Sequence, residues 1–190
     1  MHHPFPGEAE LIATIDEAVS LGHAHAITGE LSRSLSRLIA EQRVQLPAAV
    51  FEADESHYAR RLLHQSDRHG YCVIAMTWAP GQGTPIHDHA GLWCVEGVWR
   101  GALEVTPYDL LEEVDGEARF RPQKTIHAGC GSTGSLIPPF EYHTIRNTDP
   151  SAIAVSVHVY SQAMNRCAVF EPSHGEWHRR RERVLQAVEA

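Results

Sequence analysis

The stretch GQGTPIHDHAGLWC contains His87 and His89, and these are the residues of this 190-residue chain that point most directly to chemistry. Alternate side chains of an extended strand project to the same face, so a His-x-His pair at a strand entrance presents both imidazoles to one side. With a third imidazole from a distant strand they form a site for a divalent ion, although imidazole alone does not separate iron from manganese or zinc. A second stretch, GSLIPPFEYHTIRN, supplies His143, with Asn147 four residues later. A third, AVSVHVY, alternates Ser156, His158 and Tyr160 with Val155, Val157 and Val159. The polar three therefore share one face and the valines the other. Polar side chains lined up on a buried strand need partners, and a relay from Ser156 through His158 to the Tyr160 phenol supplies them.

The elements that must position these groups can be read from periodicity. Leu11, Ile12, Ile15, Ala18 and Val19 fall at helical spacing, as do Leu31, Leu35, Leu38 and Ile39, with Thr28 and Glu30 as a start signal for the second helix. Residues 52–64 fit either another helix or an extended approach to a sheet. From Tyr71 onward the pattern alternates, giving candidate strands at 71–78, 92–100, 102–108, 119–123, 134–137, 143–146, 152–160 and 167–170, punctuated by Gly and Pro turns. Many short strands without a long crossover indicate an antiparallel sandwich or barrel. Residues 176–190, a basic then apolar run, read as a closing helix. The whole is one domain, residues 1–190: a helical part over about 8–64, a barrel over about 70–172 and the C-terminal helix.

Composition narrows the function. The chain is 43% hydrophobic and 21% charged, as expected of a globular domain. A formal charge of −8 argues against nucleic acid as a partner. No run approaches the ~18 apolar residues of a membrane span, and the start is not a secretory signal. The four scattered cysteines, with no CxxC pair, then read as reduced thiols of a cytoplasmic protein, with the oligomeric state left open and a monomer among the options.

Gly81 lies six residues before His87, Gly101 twelve after His89, and His143 and Asn147 follow at a distance. This pattern resembles the two cupin motifs, although Phe140 stands where many cupins have glycine. The resemblance implies a mainly β fold, a cupin jelly-roll β-barrel, with His87, His89 and His143 as metal ligands pointing into the cavity. The general motif carries a glutamate ligand four or five residues after the second histidine. Here those positions hold Trp93 and Cys94, and Glu96 lies two beyond. With Glu96 turned away, the ion would keep three neutral ligands and an open face for a thiolate and O2.

Over roughly residues 58–172 the chain resembles the thiol dioxygenases, the cysteine dioxygenase-type cupins. The resemblance implies Fe(II) as cofactor and a small thiol carboxylate and O2 as the partners in the reaction, with a sulfinic acid as product. It makes Ser156, His158 and Tyr160 a catalytic relay, and Cys94 a candidate for a thioether crosslink to Tyr160. Tyr58 and Arg60 match a carboxylate-binding pair of the enzymes that use cysteine. Arg166, just before Cys167, matches the arginine of those that use 3-mercaptopropionate. Both together would suit mercaptosuccinate, and the Tyr58–Arg60 pair tilts the expectation toward cysteine. A metal-dependent cupin isomerase and a non-enzymatic ligand-binding cupin are the alternatives from other classes.

Overall fold

The computed structural model describes residues 4–190. Two helices come first, α1 (Glu8–Val19) and α2 (Ala24–Ala40). Their apolar faces, Leu11, Ile15 and Ala18 on α1 and Ile27, Leu31, Leu35 and Leu38 on α2, are buried. The second helix begins a turn earlier than Thr28, because the His23 imidazole accepts from the Ala26 N–H at 3.4 Å and caps it. A 3-10 turn, Ala48–Phe51, leads into β1 (Ala59–Gln65), so the ambiguous segment before residue 65 ends as a strand.

The remaining strands are β2 (Cys72–Trp78), β3 (Ile86–His87), β4 (Cys94–Arg100), β5 (Ala102–Val114), β6 (Glu117–Pro122), β7 (Ile126–Gly129), β8 (Thr133–Leu136), β9 (His143–Arg146), β10 (Ala154–Tyr160), β11 (Arg166–Pro172), β12 (Trp177–Val184) and β13 (Val188–Glu189). They form two sheets, ordered β13-β1-β2-β10-β4-β8 and β6-β12-β11-β3-β9-β5-β7. The long β5 pairs with β7 and β9 through its first half and with β6 through its second, which folds the larger sheet back on itself. This is a mainly β jelly-roll with two helices against it. At the β4–β5 corner Gly101 has φ +73°, and a Cβ there would lie 3.0 Å from the Ile153 carbonyl oxygen, so only glycine fits.

The helices cover the outer face of the six-stranded sheet, where Val155, Val157 and Val159 join Val73, Ala75 and Val95 in one cluster. A second cluster fills the space between the sheets, with Met76, Trp78, Cys94, Val98, Ile145 and Val169. Ser156, His158 and Tyr160 point into that inner layer. Full burial of each valine contributes on the order of 2 kcal/mol, so the alternation along β10 fixes its register and aims the polar three inward.

The C-terminal helix expected at 176–190 is not formed. Residues 177–184 make β12, which pairs along the whole of β11, from Arg166↔Val184 to Pro172↔His178, and also with β6. Completing two ladders outweighs the helical preference of an arginine-rich run. β13 then pairs in parallel with β1. All four cysteines are free thiols, with Cys72, Cys94 and Cys167 buried. Among the described residues no helix is long and apolar enough to cross a membrane.

Candidate metal centre

His87 on β3 and His143 on β9 are directly opposed across an antiparallel pair, which sets their rings 4.4 Å apart between centroids. His89 sits just past β3, and its N–H donates to the Glu141 carboxylate at 2.8 Å. Asp88 between them accepts from the Ala168 N–H at 2.8 Å and the Ala90 N–H at 3.1 Å, tying the His-Asp-His segment to β11. Ala90 and Gly91, with φ of 53° and 78°, turn the chain sharply away after the second histidine.

The ring nitrogens have defined roles. Nδ1 of His87 faces the Pro85 carbonyl at 3.2 Å and Nδ1 of His143 the Glu141 carbonyl at 3.0 Å. A carbonyl only accepts, so both Nδ1 atoms carry the proton and each Nε2 keeps its lone pair. Nδ1 of His89 lies 3.7 Å from the Glu141 carboxylate, too far for a hydrogen bond, and has no partner of its own. One ligand nitrogen from each ring lies within 4.8 Å of the others, and the buried Nε2 of His143 has no hydrogen-bond partner. Three neutral donors converging on one point fit a divalent ion, and the orphaned nitrogen is what such an ion would satisfy. Burial, followed by the neighbouring imidazoles, holds His89 and His143 well below the usual histidine range, and burial lowers His87. The ligands are therefore neutral, as metal binding requires.

Glu96, whose orientation the motif spacing leaves open, turns inward. It shares a face of β4 with Cys94, and its Oε2 lies 3.9 Å from His143 Nε2 and 3.5 Å from His158 Nδ1. It nevertheless falls outside the set of mutually close ligand atoms, which is His87, His89 and His143 alone among the described residues. Burial pushes its carboxyl up to about 7. Alternation from Cys94 could have revealed this orientation. Glu141, a charged residue two before His143, was also passed over.

The relay is joined in part. Trp78 Nε1 donates to Ser156 Oγ at 2.9 Å, and Ser156 Oγ lies 2.8 Å from His158 Nε2. Indole can only donate, which leaves the serine proton free for Nε2; in that arrangement the neutral His158 carries its own proton on Nδ1, toward Glu96 and the Cys94 thiol, 4.0 Å away. Burial and the Arg60 charge lower His158 to about 3, so it stays neutral. No hydrogen bond joins His158 to Tyr160 among the described residues; their rings lie near-parallel, 6.0 Å apart. The Tyr160 hydroxyl instead meets the Cys94 thiol. Burial holds both well above their usual ranges.

A narrow pocket opens above the imidazoles, with Tyr58, Arg60, Trp78 and Tyr160 in its walls. Tyr58 stacks on Trp78 with centroids 4.6 Å apart. Arg60 is buried without a carboxylate partner: Nη2 reaches the Met164 carbonyl at 3.5 Å and Nε reaches nothing. Its neighbour Arg61 donates to the Glu52 carbonyl at 2.7 Å instead and is not among the residues lining this pocket. Arg166 is not brought to the site; its side chain is 70% exposed and faces Glu182 at 3.8 Å. Asn147 is a staple, donating to the Trp78 and Ala152 carbonyls at 2.9 Å.

A jelly-roll whose interior gathers three neutral imidazoles beside an arginine-bearing pocket is a cupin with a candidate centre for one metal ion. Comparison with known proteins narrows the class. The sequence model described as Cysteine dioxygenase type I matches residues 16–173. This chain is 27% identical to the cysteine dioxygenase type 1 of Rattus norvegicus over 163 residues, 77% of this chain and 80% of that one. It is 26% identical to that of Homo sapiens over the same span. Among solved structures, a double-stranded β-helix protein from Klebsiella pneumoniae aligns with TM-score 0.47 and 16% identity, over 64% of this chain and 85% of that one. The chain belongs to the cysteine dioxygenase type I family.

Proposed function

We propose that the protein is a non-heme Fe(II) thiol dioxygenase acting on a small thiol carboxylate. The observation that carries this reading is the donor set: three imidazole nitrogens within 4.8 Å of one another with no carboxylate among them, beneath a pocket holding an arginine that has no carboxylate partner among the described residues. Such a centre leaves a cation uncompensated, which favours an anionic sulfur ligand. The balanced reaction is R–SH + O2 → R–SO2⁻ + H⁺, in which sulfur loses four electrons, dioxygen gains them, and the thiol proton leaves for solvent.

When bound, the iron supplies the redox chemistry and acidifies the thiol. The chain does the rest. His87 and His143 hold their Nε2 lone pairs toward the ion because their Nδ1 protons are engaged, and His89, whose backbone N–H is tied to Glu141, offers the third nitrogen. Arg60 receives the substrate carboxylate with a two-pronged donor. The Tyr58–Trp78 stack and Met76 exclude water from the pocket floor. Ser156 fixes the His158 ring, and Tyr160 sets a hydroxyl beside the reacting sulfur. Cys94 and Tyr160 are opposed across β4 and β10, a placement suited to a thioether. That bond would form between Cys94 Sγ and a Tyr160 ring carbon with loss of two hydrogen atoms to dioxygen.

Iron-loaded protein in an oxygen electrode tests the reading. Uptake of one O2 per sulfinate, only with an added thiol, is the expected result. Full uptake by His143→Ala, or none with any thiol, overturns it.

A further inference from the structure

The rim of the pocket carries a second arginine, Arg183, which is exposed to solvent. Arg183 lies on β12, opposed to Cys167 on β11. Opposed residues of paired strands project to the same face, and both side chains line the metal pocket. Arg166 is opposed to Val184, one position along, so it leaves on the other face. Arg60 enters from β1 of the six-stranded sheet and Arg183 from β12 of the seven-stranded sheet, so the two guanidiniums approach from the two sheets that enclose the site.

Neither has a carboxylate partner among the described residues. Arg179 and Arg180, on the same strand, are paired with Glu117 and Glu113. Arg183 lies against the Tyr58 hydroxyl instead. Tyr58, Arg60, Arg183 and Leu185 line both the metal pocket and a wider surface cleft, which makes them its mouth.

We propose that Arg60 and Arg183 form a two-armed carboxylate clamp, and that the substrate is a thiol bearing two carboxylates, of the mercaptosuccinate kind. This rests on the thiol dioxygenase reading above and deepens it. A dianion matches two guanidiniums, each able to form a planar two-pronged contact. A single-carboxylate thiol leaves one arm unmatched, and the ammonium of cysteine brings another cation toward it.

Binding separates these cases without turnover. Iron-loaded, full-length protein is titrated calorimetrically under argon with mercaptosuccinate and with 3-mercaptopropionate. The clamp predicts a preference of about tenfold or more for mercaptosuccinate, which Arg183→Met reduces to near parity and Arg183→Lys to an intermediate value. On the unsubstituted protein, succinate should displace mercaptosuccinate about tenfold better than propionate does, a measurement that needs no variant. No preference in the unsubstituted protein, or one that survives Arg183→Met, overturns the clamp. A preference without oxygen uptake for any thiol leaves the clamp standing and removes the proposed reaction. Oxidation of 3-mercaptopropionate with no preference does the reverse.

Discussion

Replacing Glu96 by glutamine in chelated, metal-free protein should stabilise it as the pH rises. Glu96 is buried beside His143, His158 and Cys94, and burial moves its carboxyl from 4.5 in the open chain to about 7. Between those values the folded protein keeps a proton that the unfolded chain has released, so this group's contribution falls as pH rises through the window. The difference, about 7 minus 4.5 or about 2.5 pH units, corresponds at 1.36 kcal/mol each to about 3 kcal/mol. The buried histidines work in the opposite sense. Their folded values lie below 6.5, so their contribution grows as pH rises toward 6.5. The wild-type curve therefore mixes both signs, and the readout is the difference between the two proteins. Urea unfolding from about pH 4.5 to about pH 8.5 should show the variant gaining about 3 kcal/mol over wild type, most of it below pH 7. A flat difference, or a wild type that gains on the variant, would mean that Glu96 is ionised and paired with a charged imidazole, and would refute the reasoning.

Three further outcomes are expected. Arg60→Gln should raise KM for a thiol carboxylate about tenfold or more with a smaller change in kcat, since it removes a binding contact remote from sulfur; steady-state oxygen uptake checks this. Trp78→Phe removes the donor that orients Ser156 and should cost about 1 kcal/mol by urea unfolding. Mass spectrometry of protein that has turned over should find a fraction lighter by two hydrogen atoms, absent from Cys94→Ser and Tyr160→Phe.

What the sequence made legible follows from periodicity. The β10 alternation named both the helix-facing valines and the inward polar trio, because a two-residue period has one reading when both faces are buried. The His-x-His pair and His143 could be joined through their motif spacing, although nothing local told that β3 and β9 are neighbours. The C-terminal strand was not legible, because WHRRRERV has no apolar alternation and is held by its ladders to β11 and β6. Arg183 was hidden by the same error, since a helical reading of that run assigns no face toward Cys167. The inward side of β4 on which Glu96 lies follows from its parity with Cys94 and not from its offset from His89. The tautomer of His158 depends on Trp78, eighty residues away in sequence, and no local pattern encodes that.

The account depends on iron being held by imidazole alone. Iron content, measured after reconstitution and gel filtration, tests this in wild type and in His87→Ala, His143→Ala, Glu96→Gln and Glu141→Gln. One iron per chain in wild type and both glutamine variants, with loss from both alanine variants, is the predicted result. Loss of iron from Glu96→Gln equal to that from His143→Ala would place a carboxylate among the ligands and contradict it.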